Sequence, residues 1–143
     1  ANQLSELELI IRLVGDVQLP SGFIACFLDG RKWDKLVLAG NEAITTNEEL
    51  CKAVRQSQHT LQVLGISLDQ FYEDVWMHLD ELLPTLTKLR CLSTSLGALN
   101  NQNVRKFIQK SLTLEELIID HYWSTNPKPS RRGRKTVISF FYP

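Results

Sequence analysis

The 143-residue chain has no surplus of either charge: 16 Lys and Arg stand against 16 Asp and Glu. That balance excludes a uniformly basic nucleic-acid binder. Cysteine is scarce. Cys26, Cys51 and Cys91 are odd in number and widely spaced, unlike the dense, even set of a small secreted disulfide scaffold. They read as buried, reduced thiols. No CxxC or Cys/His spacing fits zinc, and His59, His78 and His121 stand alone. No apolar run approaches the roughly 20 residues that span a bilayer, and no signal-peptide pattern is present. The motifs GxxxxGK[ST], GxGxxG, HExxH and GxSxG are all missing.

The remaining chemistry-bearing residues do not assemble into a catalytic set. The acidic pairs Glu48-Glu49, Glu73-Asp74, Asp80-Glu81 and Glu115-Glu116 are adjacent in sequence. Adjacent carboxylates on a helix point to different sides and seldom act as an acid/base couple. Asp74 and His78 at i and i+4 read as a surface hydrogen bond, and Cys91 with distant His121 as a core thiol and an unrelated side chain. The expectation is therefore no enzyme, no cofactor, no metal, no small-molecule substrate and no membrane. The expected setting is the cytoplasm, with the nucleus as the alternative.

What the chain has in quantity is leucine: 23 of them, about 16%, and none after Leu117. Overall, 43% of residues are hydrophobic and 22% charged, which suits a packed domain. The leucines repeat. Leu61-x-x-Leu64-x-Ile66, Leu86-x-x-Leu89-x-Cys91 and Leu114-x-x-Leu117-x-Ile119 share one spacing, and each follows a threonine: Thr60, Thr85 and Thr113. Earlier copies are Trp33-x-x-Leu36-x-Leu38, with Asn41 three residues on, and Leu4-x-x-Leu7-x-Leu9. Starts at 4, 33, 61, 86 and 114 give intervals of 25 to 29 residues.

This pattern resembles the leucine-rich-repeat family, whose unit of 20–29 residues carries an L-x-x-L-x-L strand. The irregular copies are most similar to the long, helix-bearing intracellular repeats. The resemblance implies an α/β solenoid of about five strand–helix repeats with a curved parallel sheet, and the β-prone aromatic stretch Thr136 to Pro143 is expected to return beside the last repeat as a C-terminal capping strand. The residues agree with it. Alternate strand residues share a face, so the second leucine and the residue two later point together. Between strands, helical spacing recurs. Phe23, Ile24, Phe27 and Leu28 follow Pro20 and Ser21. Leu50, Ala53 and Val54 follow a candidate N-cap at Asn47. Val75, Leu79, Leu82 and Leu83 precede a stop near Pro84. Val104, Phe107 and Ile108 lead to Leu112, which is expected to close the return. Trp33 takes the place of a repeat leucine, and Trp76 reads as core or as an anchor on the helical side. An ordinary doubly wound α/β domain is the alternative architecture.

In this register the outward strand residues are Glu6, Glu8 and Ile10; Lys35, Val37 and Ala39; Val63, Gly65 and Ser67; Lys88, Arg90 and Leu92; and Glu116, Ile118 and Asp120. They are expected to line a concave, partner-binding face, with Glu6, Glu8, Lys35, Val37, Val63, Lys88, Arg90, Leu92, Glu116, Ile118 and Asp120 as its contact residues. Tyr122 and Trp123 are expected to cap the core end. The organisation then reads as a repeat domain over 1–123, a basic Pro/Gly-containing loop over 124–135 and a capping strand over 136–143. Lys128, Arg131, Arg132, Arg134 and Lys135 form the basic patch, while all 16 acidic residues lie at or before Asp120.

The expected function is a non-catalytic protein-interaction module within a longer intracellular chain. The resemblance implies a ubiquitin-ligase substrate receptor or the sensor region of a nucleotide-binding immune receptor. The alternative is a nuclear or nucleic-acid-associated factor acting through residues 128–135.

Overall fold

A computed structural model describes residues 5–11, 25–28, 30–40, 47–68, 72–120 and 135–140. Strand and helix alternate: β1 (Glu6–Ile11), α1 (Ala25–Leu28), β2 (Lys35–Gly40), α2 (Asn47–Gln56), β3 (Val63–Leu68), α3 (Tyr72–Leu79), β4 (Cys91–Ser95), α4 (Gln102–Lys110), β5 (Glu116–Asp120) and β6 (Lys135–Ser139). Short 3-10 turns at Leu83–Thr85 and Leu96–Asn100 flank β4. The fold is α/β around one six-stranded sheet in sequential order, parallel from β1 to β5 and closed by antiparallel β6.

The sheet is held in register by two inward rows. The first runs Leu7, Leu36, Leu64, Leu92 and Leu117, and Ile138 extends it in register at the sheet edge, where it is 40% exposed. The second contains Leu38, Ile66, Thr94 and Ile119. The helices supply the facing layer. In α2, Leu50, Ala53 and Val54 are buried at i, i+3 and i+4, as their spacing predicts. Glu48 and Glu49 in its first turn and Arg55 in its last complement the helix dipole. Val104 and Phe107 do the same work in α4, and Trp76 and Leu79 in α3. Strand and helix residues join in a single buried cluster. The helices therefore cover one face of the sheet, and among the described residues the other face is bare.

Backbone hydrogen bonds mark the repeat more sharply than the leucines do. The carbonyl of Ser5 accepts from the N–H groups of Asp34 and Lys35. Asp34 does the same for Gln62 and Val63, Gln62 for Arg90 and Cys91, and Arg90 for Glu115 and Glu116. Phe140 N–H then donates to Glu115. Equivalent positions are thus 5, 34, 62, 90 and 115. A threonine reinforces two junctions: Thr60 Oγ1 donates to the Trp33 carbonyl at 2.9 Å, and Thr113 Oγ1 to the Leu89 carbonyl at 2.7 Å.

This ladder corrects the expected register of the fourth copy. Its first leucine is Leu89, not Leu86, and its inward strand pair is Leu92 and Thr94, not Leu89 and Cys91. Leucines at 86, 89 and 92 are three apart, so the pattern fits equally well one step early. Thr85 supplied the false cue. Its hydroxyl donates to the Leu82 carbonyl within its own turn and joins no neighbouring unit.

Two further expectations change. α3 ends at Leu79, and the chain continues through the 3-10 turn holding Pro84, where Leu83 stays buried. Leu112 does not close the return into the core. It is 84% exposed, because Ser111 Oγ accepts from the N–H groups of both Thr113 and Leu114 and turns the chain outward there. Trp33 and Trp76 are both fully buried core residues. Asn41, residues 20–24, Tyr122, Trp123 and His121 lie outside the described residues.

Candidate functional site

The helix-free face of the sheet is arranged in rows across the strands. One row runs Glu6, Lys35, Val63, Cys91, Glu116 and Ser139. The next runs Glu8, Val37, Gly65, Ser93, Ile118 and Val137. A third, Ile10, Ala39 and Ser67 across β1 to β3 and Ser95, Asp120 and Lys135 across β4 to β6, is placed by backbone pairing alone. Its side chains, including that of Asp120, lie outside the description.

The two described rows differ in chemistry. The first is polar at both ends. The second is small or apolar from Val37 onward. At 4.8 Å between strands, Val37 to Val137 covers about 19 Å. Gly65 keeps this strip shallow. A Cβ there would meet Val37 Cγ1 at 3.1 Å and Ser93 Cβ at 3.3 Å, so the two side chains close over the glycine. Val137, at the far end, is 55% exposed.

Charges on this face and just before its strands pair with neighbours. Lys35 Nζ lies 3.6 Å from Glu8 Oε2. Arg90 Nε donates to Gln62 Oε1 at 3.2 Å, and its Nη1 lies 3.9 Å from Glu115 Oε2. These are exposed pairs worth a few tenths of a kcal/mol each, so they orient side chains more than they stabilise the fold. Cys91 Sγ lies 3.9 Å from Glu116 Oε1 as a weak donor. Burial pushes the Cys91 thiol above its usual range, and the Glu116 carboxylate adds to that.

Of the residues expected here, Glu6, Glu8, Lys35, Val37, Val63, Glu116 and Ile118 do stand on one face. Lys88, Arg90 and Leu92 do not take the expected row. Lys88 lies in the turn before β4 and Arg90 immediately precedes the strand, both exposed. Leu92 points the opposite way, into the core, with no exposed surface. The three-residue register shift is the cause: it moves an even position to an odd one and so turns each side chain over. Cys91 and Ser93 occupy the vacated places. The bonding of Thr60 and Thr113, against the local bond of Thr85, would have revealed this, but all three look alike in sequence. Of the basic patch, Lys128, Arg131, Arg132 and Arg134 lie outside the described residues, and Lys135 opens β6.

No described cluster of His, Cys, Asp and Glu could hold a metal ion. No described helix is long and apolar enough to cross a membrane. No protein-family model, curated protein or solved structure matches the chain.

Proposed function

We propose that the chain is a non-catalytic recognition module, a leucine-rich-repeat solenoid that binds a protein segment on the bare face of its sheet. The carrying observation is the strip Val37, Gly65, Ser93, Ile118 and Val137, apolar or small throughout and covered by no described element. Four equivalent carbonyl junctions, joining positions 5, 34, 62, 90 and 115 at intervals of 25 to 29 residues, support the solenoid reading. Glu6 and Glu116 stand in the neighbouring row, while Lys35 and Arg90 are engaged with Glu8 and Glu115. The fitting partner is therefore an apolar ridge with basic flanks. About 19 Å accommodates six extended residues or roughly three and a half turns of helix. In the setting the resemblance implies, such a segment belongs to a ligase substrate or to the ligand of an immune sensor.

The test is site-specific photo-crosslinking. A crosslinker at Val37 or Ile118 is expected to capture a protein that one at Arg55, on the helical side, does not. Val37→Glu should abolish that capture without altering the thermal melt. Capture from Arg55 alone, undisturbed by Val37→Glu, would overturn the reading.

A further inference from the structure

A second surface stands on the opposite side of the molecule. A groove of about 670 Å³ runs between α4 and the turn that carries Pro84. Its volume falls within the range of small-molecule sites, roughly 300–1,000 Å³. Leu86 and Phe107 form its floor, and both are almost completely buried. Leu112 stands at one end, 84% exposed and held outward by the hydrogen-bonded turn at Ser111. A large apolar side chain fixed in water beside an apolar floor is half of a binding site.

The other half is charge. Lys106 and Lys110, one helical turn apart on α4, both line the groove. Two carboxylates also border it, Asp80 and the exposed Glu81, adjacent in sequence and so at one end of the groove. Asp80 is 7% exposed and accepts from the amides of Asn101 at 3.2 Å and Asn103 at 3.0 Å. Its negative charge is thereby committed at the α4 N-terminal end. Lys110 lies seven residues further along α4 than Asn103, about 10 Å away at 1.5 Å per residue. The end that holds Leu112 is the cationic end.

We propose that this groove binds an amphipathic organic acid, its aliphatic body on Leu86, Phe107 and Leu112 and its carboxylate between Lys106 and Lys110. An apolar cation is disfavoured by the two ammonium groups, and a neutral chain forgoes their attraction. A highly polar anion would leave Leu112 wet. The ligand class follows from that pairing of an apolar floor with two adjacent cations. This site is independent of the bare sheet face.

The experiment is amide chemical-shift mapping on the full chain with decanoate, decanol and decyltrimethylammonium, each below its micelle concentration. Decanoate is expected to shift the amides of Leu86, Thr87, Phe107 and Leu112, and to bind at least tenfold more tightly than either other probe. Lys106→Glu with Lys110→Glu should reverse the order of decanoate and decyltrimethylammonium. Leu112→Ser should weaken decanoate severalfold. All three positions are exposed, so the variants should keep the wild-type melt, and that melt is recorded first. Shifts centred on Val37 and Ile118, equal binding of the three probes, or decanoate affinity unchanged in the double variant would each overturn the proposal. A variant that fails to fold is replaced by Lys106→Gln with Lys110→Gln, for which decanoate should fall to the level of decanol.

Discussion

Between Trp33 and Leu68, the first two inward positions of each strand are aliphatic: Leu36, Leu38, Leu64 and Ile66 are all buried. Between Leu89 and Ile119, the matching positions are Leu92, Thr94, Leu117 and Ile119, and the Thr94 hydroxyl is buried without a partner. The polar bonding differs as well. In the earlier region Ser57, fully buried, accepts the backbone N–H of Trp33 on its hydroxyl at 2.9 Å. In the later region, Asn101 caps α4 by accepting from Asn103 and Val104, and its amide donates to Asp80 and to the Trp76 carbonyl. The earlier units are held by apolar rows plus one backbone ladder. The later ones add a side-chain network between α3 and α4 and tolerate a flaw in the sheet. Identical junction geometry is thus reached with unequal materials.

The largest expected effect tests whether the two regions share one register. Leu92→Asp should unfold the chain as completely as Leu64→Asp, each costing more than about 4 kcal/mol in urea denaturation. Arg90→Glu, two residues away, should cost less than about 1 kcal/mol. A tolerated Leu92→Asp would restore the earlier leucine pairing and break the comparison.

Next come the polar bonds. Asn101→Ala removes the α4 cap and a partner of Asp80, and should cost about 1–2 kcal/mol. Ser57→Ala orphans the buried Trp33 N–H, at about 1–3 kcal/mol. Equal losses in denaturant midpoint would show that one buried hydroxyl serves the earlier region as well as a network serves the later one.

Thr94→Val should stabilise the chain by up to about 1 kcal/mol, since it removes an unpartnered hydroxyl at constant shape. The reverse change in the earlier region, Ile66→Thr, should destabilise it. A melting temperature that falls with Thr94→Val would mean the hydroxyl has a role in the fold.

The smallest effect concerns Cys91. Its raised thiol pKa favours the neutral form in the fold. That contribution is intact below the ordinary value of 9.0 and is lost as pH climbs through the raised folded value. Glu116→Gln removes one of the causes, so alkylation of Cys91 at pH 8 should quicken modestly. Exposed Cys26 serves as the internal reference. An unchanged ratio would leave burial as the whole cause.

Much of this was legible in the chain itself. The leucine spacing locates β1, β2, β3 and β5 and their inward residues. Helical spacing locates the buried faces of α2 and α4. The spacing sets β4 three residues early because Leu86, Leu89 and Leu92 offer two equal fits and Thr85 imitates Thr60 and Thr113. What separates them is where a hydroxyl finds its acceptor, a three-dimensional fact. The outward position of Leu112 depends likewise on the Ser111 turn, and the groove on the packing of two units. Spacing within a single unit contains neither.

Asp34 and Gln62 each accept two N–H groups from the following unit, 28 residues apart in sequence. Their junctions are interchangeable. The span 35–62 is therefore a cassette: duplicating it in frame presents each neighbour with the acceptor and leucine row it already meets. Growth by whole modules would lengthen the bare face by one strand, 4.8 Å at a time, without designing a new joint.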